Sequence, residues 1–231
     1  MTSRSHTEKH FRASDTVRDV VIGMSDGLTV PFAIAAGMSG AAVAAKIVVI
    51  AGLAEIAAGS ISMGLGGYLA GKSDVEHYEV EKQREVRETE EVPDLERKEV
   101  ADILTNFGLP DDEVGPVVDA ISKDRSKWVD LMMRFELGLE KPDPGRALKS
   151  AMTIALSYAV SGFIPLGPYI LLSSVHSALY LSIAVTILAL FVFGFIKGRV
   201  MGVKTLKSGL QMAVVGSLAA GTAFLLARLI G

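Results

Sequence analysis

Two carboxylates stand inside long apolar stretches of this 231-residue chain, Asp26 and Glu55. An ionisable side chain at membrane depth is costly to hold, so each is a functional candidate by default. The plain alternative is a neutral carboxyl hydrogen-bonded to a neighbouring helix. Asp26 lies in Gly-Met-Ser-Asp-Gly-Leu-Thr-Val-Pro, residues 23–31. Pro31 has no N–H, so the Gly27 carbonyl loses its helical partner, and a carboxylate beside a freed carbonyl suits a cation. Glu55, Gly59 and Met63 follow at i, i+4 and i+8, on one broad face of a helix. With a rise of about 1.5 Å per residue, Asp26 and Met63 can share a level, and Glu55 falls about 12 Å further across. A thioether favours softer transition metals over Ca²⁺ and Mg²⁺. Ordinary packing is the bland reading of Met63, and Glu55 on the same face weighs against it.

A second set is denser. Glu81, Glu85 and Glu88 share a face at i, i+4 and i+7; Glu96 and Glu99 stand at i and i+3. Met132, Met133 and Glu136 add two sulfurs and a carboxylate on another helix. Carboxylates three or four residues apart repel one another, and a cation relieves that repulsion. The bland reading is a solvated acidic face, which Lys82, Arg84, Arg87, Arg97 and Lys98 support. For the methionines it is a small core with Trp128 and Phe135. His6 and His10 are spaced i, i+4 but lie in a polar tail and are not taken as ligands. Cysteine is absent, which excludes disulfides, thiolate zinc and iron–sulfur sites.

The elements that must position these residues divide sharply in composition. Half the chain is hydrophobic, yet residues 72–145 hold 21 of the 26 acidic residues, and none lies beyond residue 145. So acidic a polar part makes nucleic acid an unfitting partner. Five stretches are long enough to cross a bilayer, about 20–41, 47–71, 147–171, 176–196 and 208–230. The reading is an all-α membrane protein: five transmembrane helices with a cytosolic helical metal-binding domain inserted between helices 2 and 3. Residues 1–19 form a cytosolic tail, 20–71 the first two membrane helices, 72–145 the acidic domain and 146–231 the last three helices. Arg4, Lys9, Arg12 and Arg18 flank the first segment, and Lys197, Arg199, Lys204 and Lys207 lie between the fourth and fifth. The positive-inside rule then places the N-terminus and acidic block in the cytosol and the C-terminus in a lumen. Small residues repeat every four positions at Ala147, Ala151, Ala155 and Ala159, and at Gly209, Ala213, Ser217 and Gly221. They predict close helix packing within the bundle, or a subunit interface. Pro165 and Pro168 predict a break or kink. In the acidic block, helices are expected over 72–91, over 94–107 with Asp94 as cap, and from Asp111 and Asp112 as caps to about Leu139 with interruptions.

Residues 18–33 (R-D-V-V-I-G-M-S-D-G-L-T-V-P-F-A), 52–70 (G-L-A-E-I-A-A-G-S-I-S-M-G-L-G-G-Y-L-A) and 161–169 (S-G-F-I-P-L-G-P-Y) closely resemble the vacuolar iron transporter family of plants and fungi. The Glu pattern and Met-Met-x-x-Glu of the insert add to the match, which covers nearly the whole chain. The resemblance implies homodimers with an ion path between subunits, lined by the first two helices, that exchange cytosolic Fe²⁺ for vacuolar protons. It implies a transmembrane path of Asp26, Glu55 and Met63, and a cytosolic metal set of Glu85, Glu88, Glu96, Glu99, Met132, Met133 and Glu136. Glu81 enters from helical spacing alone.

The expected function is proton-coupled antiport of ferrous iron and related divalent metals (Zn²⁺, Co²⁺, Mn²⁺) from cytosol into the vacuole, in an iron-storage role. The chain is expected to hold no permanent cofactor: metal ions are its cargo and occupy the cytosolic site in transit. The rival is a membrane-anchored di-metal enzyme such as a ferroxidase. Di-iron bundles combine Glu with Glu-x-x-His, and here Glu85 and Glu96 are each followed at i+3 by Glu. A third reading, a metal buffer, leaves the intramembrane acids unexplained.

Overall fold

A computed structural model describes residues 15–41 and 43–230. Among the described residues there are eight α-helices and no strand: α1 (Asp15–Gly40), α2 (Ala45–Glu91), α3 (Pro93–Asn106), α4 (Asp111–Ser122), α5 (Arg125–Phe135), α6 (Arg146–Leu171), α7 (Val175–Val200) and α8 (Thr205–Ile230). Five of them, α1, α2, α6, α7 and α8, are long and apolar enough to cross a membrane. A helix is the open-ended structure that satisfies its own backbone in lipid, and these runs carry few competing polar groups. The chain divides into two compact units, one of residues 15–68 and 147–230, the other Leu69–Arg146. Helix α2 contributes its first part to the former and its second part to the latter. His6 and His10 lie outside the described residues.

In the larger unit, glycines set the helix spacing. Gly23 and Gly27 of α1 lie against α6: a Cβ at Gly23 would come 2.8 Å from Ser157 Cβ, and one at Gly27 2.8 Å from Tyr158 Cα. On an adjoining face of α6, Ala151 and Ala155 pack against Gly64 of α2. The alanine row thus serves packing inside the bundle at those two positions. Gly194 and Gly198 of α7 meet Ser208 of α8, and Gly209 of α8 meets Phe191. Small residues let helix backbones approach where lipid supplies no hydrophobic drive to associate. Pro165 and Pro168 do not break α6, which stays helical to Leu171. Their fixed φ fits a helix, each removes one hydrogen bond, and the Pro165 carbonyl accepts from Ser182 Oγ of α7 at 2.7 Å.

In the smaller unit, Val92 alone separates α2 from α3, with Pro93 at the first helical position. Val92, not Asp94, is the N-cap, and Asp94 sits in the first turn. Likewise Pro110 precedes α4, and Asp111 and Asp112 occupy its first turn without a side-chain cap bond. There they favour the helix dipole rather than closing an N–H. Asp124 does cap α5, accepting from the Lys127 N–H. Val100, Val114, Val118, Trp128 and Met132 form one buried cluster; Tyr78, Val129 and Met133 form another. Phe135 is not in the Trp128 core: it is exposed and meets Phe107 edge-on at 5.7 Å. Arg125 ties α5 to α2, donating to Thr89 Oγ1, Glu90 and the Val86 carbonyl.

Candidate metal centre and intramembrane carboxylates

The one-residue turn at Val92 folds α3 back beside the end of α2. Glu85 and Glu88 of α2 and Glu96 of α3 thereby each present a carboxylate oxygen within 4.8 Å of the other two. Among the described residues they are the one such group of His, Asp or Glu that could hold a metal ion. Glu85 is 1% exposed and Glu96 2%, and each keeps a buried Oε2 with no hydrogen-bond partner. A buried acceptor without a donor costs about 1–3 kcal/mol, more when charged. Oxygen donors aimed together without donors of their own suit a hard or borderline divalent cation.

The electrostatics tie in the two remaining glutamates. Burial first, then the neighbouring Glu136 and Glu88, push Glu85 from its ordinary 4.5 up to about 7, against a downward pull from Arg84. Burial, then Glu99 and Glu85, raise Glu96 from 4.5 to about 7. Glu136, at the C-cap of α5, is raised by desolvation first and by Glu99 next, while Arg84 lowers it. Glu99 and Glu136 therefore stand in the field of the trio without belonging to the tight group. Glu81 is outside that group too and pairs with Arg84 at 2.8 Å. Met132 and Met133 are both buried, one in each of the two apolar clusters.

In the larger unit, Glu55 is half-buried on α2. Its Oε1 accepts a hydrogen bond from the Tyr158 phenol of α6, and its Oε2 is buried without a partner. Gly59 makes room for this contact: a Cβ there would come 2.6 Å from Tyr158 Cζ and 2.7 Å from Glu55 Oε1. Asp26 is half-buried on α1, and Gly27 beside it lies against Tyr158. Tyr158 is thus the polar group that holds Glu55, and sequence reasoning passed over it. The available signal was a hydroxyl-bearing ring in an apolar helix, since a buried Tyr O–H needs a partner. Asp19, just before the apolar run, is also buried. Met63 is half-buried on α2.

A family model described as the VIT family matches residues 17–228. The chain belongs to the VIT family. It is 54% identical over 225 residues to "Vacuolar iron transporter 1" of Arabidopsis thaliana, covering 97% of this chain and 90% of that protein. It is 55% identical over 223 residues to "Vacuolar iron transporter 2" of Oryza sativa subsp. japonica, covering 96% and 91%. A fungal relative, "Vacuolar iron transporter cccA" of Arthroderma benhamiae, is 42% identical over 226 residues, covering 93% and 79%. These VIT-family relatives are named as transporters, and this member likewise is not an enzyme. The match runs through both units, so the carboxylates of the insert and of the apolar helices lie within one family domain.

Proposed function

We propose that this VIT-family chain carries Fe²⁺ and related divalent metals from the cytosol into the vacuole in exchange for protons, working as a homodimer. One observation carries the reading. Glu85 and Glu96 each keep a buried carboxylate oxygen without a donor, and one oxygen of each lies within 4.8 Å of one from Glu88. The names of the relatives support iron as cargo and the vacuolar membrane as location. The charge asymmetry of the loops supports a cytosolic insert at residues 72–145, a cytosolic N-terminus and a lumenal C-terminus.

The insert collects metal with Glu85, Glu88 and Glu96, and Glu99 and Glu136 add negative field. Met132 and Met133, buried beside apolar side chains, supply thioether sulfur to the same ion. The ion then passes to Asp26 and Met63 of two subunits and on to Glu55. The Glu55 Oε2 is free of protein donors, and Tyr158 holds the other oxygen. A carboxyl that binds a metal must release its proton, so alternating occupancy couples the two flows. The dimer is supported by α2, where Ala54, Ala58, Ser62 and Gly66 recur every four residues and are all exposed. Such a row lets a second copy of the helix approach closely.

The test is Fe²⁺ uptake into proteoliposomes with and without an inside-acid gradient. Wild type should need the gradient, and Glu55→Ala and Asp26→Ala should abolish uptake. Gradient-independent uptake would remove the proton from the mechanism, and a fully active Glu55→Ala would remove that residue from the path.

A further inference from the structure

Among the carboxylates of the insert sits one guanidinium. Arg84 Nη1 lies 2.8 Å from Glu81 Oε2, Nη2 3.7 Å from Glu85 Oε1, and Nε 3.5 Å from Glu88 Oε2. Its charge also reaches Glu136. These contacts are unequal. Charge-assisted N–H···O bonds run about 2.7–2.9 Å, so the contact with Glu81 is a full bond and the other two are loose. Arg84 Nε is buried and makes no hydrogen bond at all. The two loosely held carboxylates belong to the clustered trio, and the firmly held one does not.

We infer that Arg84 is a resident counter-ion which an incoming divalent metal displaces from Glu85 and Glu88, and that Glu81 is the seat it retains when they turn to the metal. This rests on reading the trio as a divalent-metal site. The physics is competition for the same oxygens. One delocalised positive charge, held at a distance by stretched contacts, offsets part of the repulsion among five glutamates. A divalent ion coordinated directly offsets more, and the guanidinium need only shift toward the partner it already holds best. Arg84 is 44% exposed and Glu81 lies three residues away on the same helix, so the shift needs no backbone movement. Arg84 thereby lowers affinity for metal and lets the ion leave again. Glu81 acts only through Arg84; it is a positioning residue, not a ligand.

The experiment titrates Mn²⁺ into the full-length protein in detergent and counts free ion by electron paramagnetic resonance. Arg84→Gln should tighten binding roughly three- to tenfold, the scale of removing a few partly exposed ion pairs. Glu81→Gln should weaken it roughly two- to threefold, because Arg84 then stays on Glu85 and Glu88. In the Arg84→Gln background, Glu81→Gln should change nothing. A general loss of negative field would weaken binding in both backgrounds, and that result overturns the inference, as does unchanged or weaker binding in Arg84→Gln. Should Arg84→Gln lose its helical circular dichroism, Arg84→Lys decides. An ammonium cannot span three carboxylates, so it should bind Mn²⁺ more tightly than wild type, and equal or weaker binding overturns the idea. Wild type that binds no Mn²⁺, or binds it unchanged after Glu85→Gln with Glu96→Gln, sinks the metal-site reading and this inference together. Wild type that binds while Arg84→Gln does not tighten sinks the inference alone.

Discussion

A carboxyl group surrounded by its own kind and shut off from water binds a proton that the same residue in an unfolded chain would give up. Glu85 and Glu96 are in that position, raised from 4.5 to about 7. The sign follows from linkage: the folded state holds more protons than the unfolded state between those values. Stability from these two groups is fully present below about 4.5 and lost as pH rises through about 7. Without added metal, the melting temperature of the insert's helices should fall between pH 5 and pH 7.5, roughly the window that linkage sets. Circular-dichroism melts should show it, and Glu85→Gln with Glu96→Gln should flatten the dependence. An equal slope in that double variant would sink the assignment. At this scale the acids were legible and their partners were not. Glu55 and Asp26 announce themselves by standing in apolar runs. Tyr158 does not, because tyrosine in a helix usually packs, and only the geometry shows its phenol donating to Glu55. Glu81 was misled by its spacing: it shares the helical face of Glu85 and Glu88, but Arg84 engages it most closely.

Elements bring these residues together through close approach, so a single methyl group in the right place should separate them. Gly59→Ala places a Cβ 2.6 Å from Tyr158 Cζ, where real atoms do not sit. The variant should lose about 1–3 kcal/mol of stability, as overpacked sites do. It should also reduce Fe²⁺ uptake, because Tyr158 and Glu55 must move apart. Thermal melting in detergent and proteoliposome uptake check the two effects, and full uptake would show that the contact is dispensable. Gly115→Ala on α4 is the control for folding, since no neighbouring atom lies within 4 Å of the Cβ it would add. Helix identities were readable because apolar length in lipid leaves few options. Helix ends were less so. Asp94, Asp111 and Asp112 suit caps, yet Pro93 and Pro110 already set the local backbone, so the acids fall into first turns. Pro165 and Pro168 promised a break, yet α6 stays helical to Leu171, because the pre-set φ of proline fits a helix.

At the scale of the molecule, half of the question is what covers α2. Its row of Ala54, Ala58, Ser62 and Gly66 is exposed among the described residues. In the proposed homodimer it meets the same row of a second copy. Ala58→Leu should leave the single chain folded and shift the detergent-solubilised particle from dimer toward monomer, measured as mass by light scattering. A dimer unaffected by Ala58→Leu would place the interface elsewhere. The composition split was the strongest whole-chain signal. The acid-free stretch after residue 145 supplies three membrane helices, while 21 of 26 acids fall in the block between the second and third spans. What composition could not show is that only three of those acids converge, since convergence depends on the one-residue turn at Val92.

The chain has one tryptophan, Trp128, buried beside Met132 in the core of the insert, with an indole N–H that finds no acceptor. Its emission is therefore a label already built into the protein and confined to one unit. Excited at wavelengths that spare tyrosine, the intact transporter in a membrane is dark everywhere else. Any rearrangement that draws Met132 out of its packing must change the brightness or colour of that single fluorophore, so a movement in this unit can be followed in real time while the membrane helices stay unseen.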